Sequence, residues 1–248
     1  MSGIRVSVIM PVYNGALYLA HQLDSIIPML AENDEIIISY DKSTDDTLKI
    51  AKEYARKDSR IRLFINRGEG GVWPNSLNAL KRVRGKYIIP SDQDDEWIND
   101  KINVIVSAFN NKKVMAVLHD GYVCDKDLNI IMPTILDRVK TSNSWVKNFI
   151  KSSVAGCCLA YRSEFVKIFL KTPKMPDAAD QWAAISAMIL GKVRIIKPIL
   201  TKHRIHENNF TPKYKRKLSV KLKGRLFLAI DILWLFLNKR KFLAELFD

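Results

Sequence analysis

Three aspartates fall within four residues at Asp92, Asp94 and Asp95, in the run SDQDDEW. Like charges this close raise one another's pKa and repel, so they need a positive partner. A divalent cation bridging to a phosphate is the usual one, because Mg2+ is held by one or two carboxylates plus phosphate oxygens. The alternative is an acidic turn that caps a helix starting near Trp97, and Asp95 is expected to do that. A second acid, Asp180, stands ahead of Gln181-Trp182-Ala183, where it could be a helix N-cap or a general base. Lys202, His203, Arg204 and His206 form a basic loop. In it His206 is a candidate metal ligand and Arg204 a candidate partner for a diphosphate.

The elements that would carry these residues alternate over the first 120 positions. Apolar runs at 4–10, 35–40, 61–65, 86–90 and 114–118 predict strands. Helices are expected over 15–27, from a capping box at Ser43-Thr44-Asp45-Asp46 to about residue 57, over 74–83, and over 97–110. Uniformly apolar strands alternating with helices predict an α/β fold with a mostly parallel sheet covered on both faces. Ligands of such sheets bind beyond the carboxyl ends of the strands. There lie Pro11, Tyr13 and Asn14 after the first strand, Asp41 and Lys42 after the second, and the acid cluster after the fourth. The glycines of Gly68-Glu69-Gly70-Gly71 make either a flexible loop or one that closes over a ligand. No GxGxxG follows the first strand and no GxxxxGK[ST] occurs, which argues against a dinucleotide dehydrogenase and a P-loop NTPase.

VSVIMPVYNG, EIIISYDKSTDDT and GKYIIPSDQDDEW together resemble the family-2 glycosyltransferases of GT-A fold. The DQDD form is most similar to bacterial members that build O-antigen or capsule, many of them rhamnosyltransferase-like. Asn66 and Asn75, in NRGEGGVWPNSLNAL, and residues 178–209 continue the resemblance over roughly 4–209. It implies a GT-A, Rossmann-like nucleotide-diphospho-sugar transferase fold. Pro11 and Tyr13 would line the nucleotide pocket, Asp41 contact the base, and Asn75 and Arg204 belong to the donor side. Asp92 would lie near ribose and metal, Asp94 and His206 would hold the metal (Mn2+ or Mg2+), and Asp180 would be the base. Tyr40, Lys42, Ala179 and His203 depart from the family pattern, and Asp177 competes with Asp180 for the role of base.

The chain of 248 residues carries 40 Lys+Arg against 26 Asp+Glu, and its 48% hydrophobic content suits a folded globular protein rather than a disordered one. Ten Lys/Arg face three acids within 212–248 and bracket the apolar run 226–237, which is too short to span a bilayer. The expected organisation is a catalytic domain over 1–211, with a nucleotide-binding half at 1–118 and an acceptor-side half at 119–211. A basic amphipathic helix at 212–248 would lie on a membrane surface or pack on the body. No nucleic-acid motif is present. Three cysteines, Cys124, Cys157 and Cys158, give no disulfide framework and fit a reducing compartment, with the adjacent pair expected to be inert core. The resulting expectation is an inverting transferase, cytoplasmic and peripheral on the inner face of a bacterial cell membrane. It would move a sugar from a UDP or dTDP donor to a lipid-linked oligosaccharide. A nucleotidyltransferase and a non-catalytic binding subunit are the alternatives.

Overall fold

The structure is a computed structural model that describes residues 3–174, 179–207 and 218–247. Asp177 lies outside the described residues. In the first half each apolar run becomes a strand and each amphipathic run a helix. These are β1 (Val6–Val12), α1 (Leu19–Ile26), β2 (Asp34–Tyr40), α2 (Thr47–Lys57), β3 (Ile61–Ile65), α3 (Val72–Leu80) and β4 (Tyr87–Pro90). A 3-10 turn at Ile27–Met29 follows α1 where Pro28 cannot continue it. Pro74 sits within the first turn of α3, where its missing N–H breaks no bond. Strands β1 to β4 are mutually parallel in the order β3-β2-β1-β4.

The second half departs from simple alternation. It contains β5 (Glu96–Trp97), α4 (Lys101–Ala108), β6 (Val114–Cys124), β7 (Ile130–Met132), α5 (Ile135–Val139) and α6 (Trp145–Ile150). A 3-10 turn at Gly156–Cys158 then leads into β8 (Leu159–Arg162), α7 (Phe165–Lys171), α8 (Ala179–Leu190), β9 (Lys192–Arg204) and α9 (Leu218–Phe247). The sheet continues β4-β8-β6-β9-β5. Strand β8 runs antiparallel to both β4 and β6, and β5 antiparallel to β9. The sheet is therefore mixed and mostly parallel, with the parallel set β1 to β4 joined to the rest through one reversed strand.

The helix expected from residue 97 begins only at Lys101. Glu96 and Trp97 pair instead with Lys202 and Thr201 of β9. Asp95 is not its cap: the carboxylate accepts from His203 and from the Arg204 amide, and Asp100 occupies the cap position. The box at Ser43–Asp46 also closes differently, with Asp45 accepting from the Thr47 amide while Ser43 binds across to the Asn14 amide.

Alternate residues of β1 face opposite sides, as the two-residue strand period requires. Ile9 joins Ile37, Ile88 and the inner faces of α3, α7 and α8 in one apolar cluster. Val8 and Met10 join Ile36, Ile38 and residues of α1 and α4 in the other. Helix α9 belongs to the first cluster through Leu228, Ile232, Leu235 and Phe242. Asp231 is buried on the same side and accepts from the Lys174 amide. A second row (Leu222, Leu226, Leu233, Leu237) is exposed. At 100° per residue it falls roughly opposite the packed row. The helix thus has two apolar faces, one against the body and one outward. No helix among the described residues is long and apolar enough to cross a membrane.

Candidate active site

The carboxyl ends of β1, β2 and β4 meet at one edge. There the loop after β1 is latched to the acid cluster through Gln93. Its Oε1 accepts from the Tyr13 amide at 2.9 Å and its Nε2 donates to the Tyr13 carbonyl at 2.8 Å. Gly15 makes room for it, since a Cβ there would stand 2.3 Å from Gln93 Oε1. Tyr13 itself is 55% exposed, its ring open to solvent. Asn14, held at φ 45°, accepts from the Thr44 amide and joins the ends of β1 and β2. Pro11 lies within β1, opposite Ser39 of β2.

Asp41, after β2, accepts from Asn66 Nδ2 at 2.7 Å and from the Gly71 amide at 2.9 Å. Its carboxylate thereby holds the Gly68–Gly71 loop, and lone pairs remain on both oxygens. Asn75 is buried between strands: Oδ1 accepts from Ser39 Oγ at 2.6 Å and Nδ2 donates to the Val12 carbonyl at 3.2 Å. Both polar atoms of Asn75 therefore bind the sheet end beneath the edge. Tyr40, which departs from the family pattern, accepts the Ser43 amide on its hydroxyl.

Gln93 points toward Tyr13. Solvent reaches Asp92 from one side while protein crowds the rest of it. Its carboxylate has no hydrogen bond among the described residues. Burial, then the charges of Asp95 and Asp94, push it well above the usual carboxylate range. Asp94 is raised by burial and by Asp95, against a counteracting bond to His206 Nε2 at 2.8 Å. Asp95 is fully buried and accepts from His203 Nδ1 at 2.9 Å and the Arg204 amide at 3.0 Å. Arg204 donates to the carbonyls of Asp94 and Lys126, and its guanidinium lies 4.6 Å from the Tyr18 ring centre. His206 packs beside the same ring at 4.7 Å. The end of β9 therefore braces the acid loop from behind.

Asp180 stands in the first turn of α8, with Oδ1 accepting from the Gln181 amide at 2.8 Å. The helix end thus uses one lone pair of this carboxylate. Burial nonetheless raises its pKa, against the bond from Gln181. Asp180 rests on Gly156: a Cβ there would lie 3.5 Å from Asp180 Cβ. The same turn presents Cys157, whose carbonyl accepts from the buried Lys101 ammonium at 3.0 Å. Cys157 and Cys158 are buried in an apolar cluster with Val123 and Ile135, as the sequence implies, and Cys157 also faces two polar groups. Asp95, Cys157 and His203 cluster together, a grouping the sequence reading missed. The available signals were a third acid beside Asp94 and a histidine standing where the family carries Tyr.

Among the described residues the only three ligand atoms gathered within 4.8 Å of one another belong to Asp95, Cys157 and His203, and Asp92, Asp94 and His206 are not gathered in that way. Asp92 carries a carboxylate with no hydrogen bond among the described residues, and Asp94 a second one bound to the imidazole of His206.

The family model for glycosyl transferase family 2 matches residues 7–194. The chain belongs to that family. A putative glycosyltransferase EpsE of Bacillus subtilis is 30% identical over 73% of this chain and 66% of its own length. An uncharacterized glycosyltransferase of Nostoc sp. is 28% identical over 83% of this chain and 66% of its own length. One from Rickettsia bellii is 29% identical over 84% of this chain but only 31% of its own. The chain thus spans from about a third to just under two thirds of these relatives. Among solved structures, S. aureus TarS 1-349 in complex with UDP-GlcNAc superposes with a TM-score of 0.73 at 17% identity, covering 98% of this chain and 71% of TarS 1-349. The mannosyltransferase PcManGT of Pyrobaculum calidifontis, in complex with GDP-Man and Mn2+, gives 0.62 at 15% identity, covering 99% and 73%. At these identities the likeness establishes the GT-A fold.

Proposed function

We propose that this family-2 chain is a metal-dependent inverting glycosyltransferase. It moves a hexosyl or rhamnosyl residue from a UDP or dTDP donor to a hydroxyl of a lipid-linked glycan in bacterial surface polysaccharide synthesis. The observation that carries the reading is Asp92. It is a carboxylate at the end of β4, open to solvent and without a hydrogen bond among the described residues, beside an acid paired to an imidazole. The S. aureus and P. calidifontis neighbours, in complex with UDP-GlcNAc and with GDP-Man and Mn2+, support a nucleotide-sugar donor.

Asp92, Asp94 and His206 would hold the cation, which when bound supplies Lewis-acid stabilisation to the departing diphosphate. Pro11, Tyr13 and Asp41 receive the nucleoside. Asn75 supports that pocket from below. Arg204 adds positive charge to the donor side while its hydrogen bonds hold the acid loop. On the other side, Asp180 accepts the proton of the acceptor hydroxyl as its oxygen attacks the anomeric carbon and the carbon–diphosphate bond breaks. A single base on the acceptor side gives direct displacement with inversion. The exposed row of α9 with its flanking lysines and arginines rests on an anionic membrane surface, on the inner face of the cell membrane.

Calorimetric titration of UDP, dTDP and GDP with and without Mn2+ or Mg2+ tests this. The expected result is metal-dependent binding of one nucleotide that Asp94→Asn abolishes. If no nucleotide binds under any metal condition, the catalytic reading fails.

A further inference from the structure

We infer that Asp95, Cys157 and His203 form a second cation site, built for the thiophilic ion Zn2+ and separate from the hard site on Asp92 and Asp94. The three residues come from three parts of the chain: the acid loop after β4, the 3-10 turn before β8, and the end of β9. Each offers one ligand atom, and these atoms all lie within 4.8 Å of one another. Tetrahedral zinc, with bonds of about 2.0–2.3 Å, places its ligand atoms about 3.5 Å apart, so closure needs side-chain movement of roughly 1 Å.

The chemistry of the set matches the ion. One thiolate and one carboxylate neutralise the double positive charge, the neutral imidazole adds no charge, and a fourth position stays open. A thiolate ligand selects zinc over Mg2+ and Mn2+, whereas the carboxylates of Asp92 and Asp94 favour the harder ions. The ligands are also pre-placed. Asp95 is anchored by the Arg204 amide, the Cys157 carbonyl by Lys101 Nζ, and His203 by its position in β9. Coordination exchanges the 2.9 Å hydrogen bond between His203 Nδ1 and Asp95 for bonds to the metal; the Cys157 thiol gives its proton to solvent, and the neutral imidazole keeps its one proton on Nε2. It would tie the acid loop to the turn on which Asp180 rests. The site stands on its own ligand geometry and does not depend on sugar transfer.

The test uses the full chain, stripped with chelator and titrated with Zn2+ or Co2+. The first equivalent should bind at the thiolate site, and Co2+ there should show a thiolate-to-metal charge-transfer band. Zn-edge X-ray absorption of the loaded wild-type protein should show one sulfur at about 2.3 Å with lighter ligands at about 2.0 Å. Cys157→Ser and His203→Gln should each weaken zinc at least tenfold, and Asp94→Asn should leave zinc affinity unchanged. A loaded wild-type protein with only oxygen and nitrogen around zinc overturns the inference, even where the Cys157 variant does not fold. Zinc affinity lost in Asp94→Asn but kept in Cys157→Ser overturns it as well.

Discussion

A carboxylate that is to take a proton from an alcohol benefits from a pKa raised toward the working pH, and burial does this to Asp180. The same burial disfavours the charged form. Because the folded state holds this proton more tightly than the unfolded chain, stability falls as pH rises through the folded pKa. Asp180→Asn keeps an oxygen for the Gln181 amide and removes the charge. Transfer should fall by about 10²–10⁴-fold. The Tm should rise at neutral pH, and that gain should vanish in acid below the unfolded aspartate value of about 3.9. Melting curves at both pH values, beside initial rates, check this; an equal Tm change at both would show that charge burial is not the cause. At this scale the acids were legible in the sequence because they are local: Asp92 and Asp94 lie two residues apart. The partnership of Asp95 with His203 spans 108 positions and was not. Asp95 was expected to cap a helix because the neighbouring sequence offers one, and the distant imidazole outcompetes it.

Among the elements, β2 shows how a strand is secured at its buried start. Glu35 is 1% exposed and accepts from Ser7 Oγ, Arg62, the Arg84 guanidinium and the Arg84 amide. Burial alone would raise its pKa, but the bonds from Ser7, Arg62 and Arg84 outweigh it and lower it. The stabilising contribution is therefore present above the unfolded value of about 4.3 and is lost as pH falls through the lower folded one. Glu35→Gln removes the charge facing both arginines and should destabilise by about 3 kcal/mol at neutral pH. Urea unfolding at pH 7 and near pH 3 should show the difference shrinking in acid; a constant difference would exclude the ionic explanation. Strands β1 to β4 were legible because each is a continuous apolar run closed by a turn signal. The run VAGCCLAY also reads as a strand, but the reversed sense of β8 was not legible, since only its partners decide it.

For the molecule as a whole, the notable asymmetry is α9. Periodicity foretold a basic helix with an apolar run, but could not separate the row that packs from the row that does not, because both are leucine-rich. Removing the helix would uncover Leu228, Ile232 and Leu235 of the core, so deletion confounds folding with membrane contact. Substitution on the outer row separates them. Leu226→Gln, Leu233→Gln and Leu237→Gln together, at side chains 60%, 60% and 78% exposed, should leave the Tm within a few degrees. Each lost apolar contact with lipid is worth roughly 1.5–3 kcal/mol at full burial. Co-sedimentation with anionic vesicles should therefore drop at least tenfold. Unchanged pelleting would remove the membrane from the proposal.

The latch at Gln93 joins residues that the chain keeps 80 positions apart. The middle letter of the acid motif is thus not a spacer: it turns its amide to the Tyr13 backbone, and only a glycine at 15 leaves it room. Positions 15 and 93 are in effect one structural unit. A methyl at 15 displaces the amide, and a carboxylate at 93 has no donor for the Tyr13 carbonyl. A double-mutant cycle on Gly15→Ala and Gln93→Ser should reveal a coupling of about 1 kcal/mol. Strict additivity would dissolve the unit.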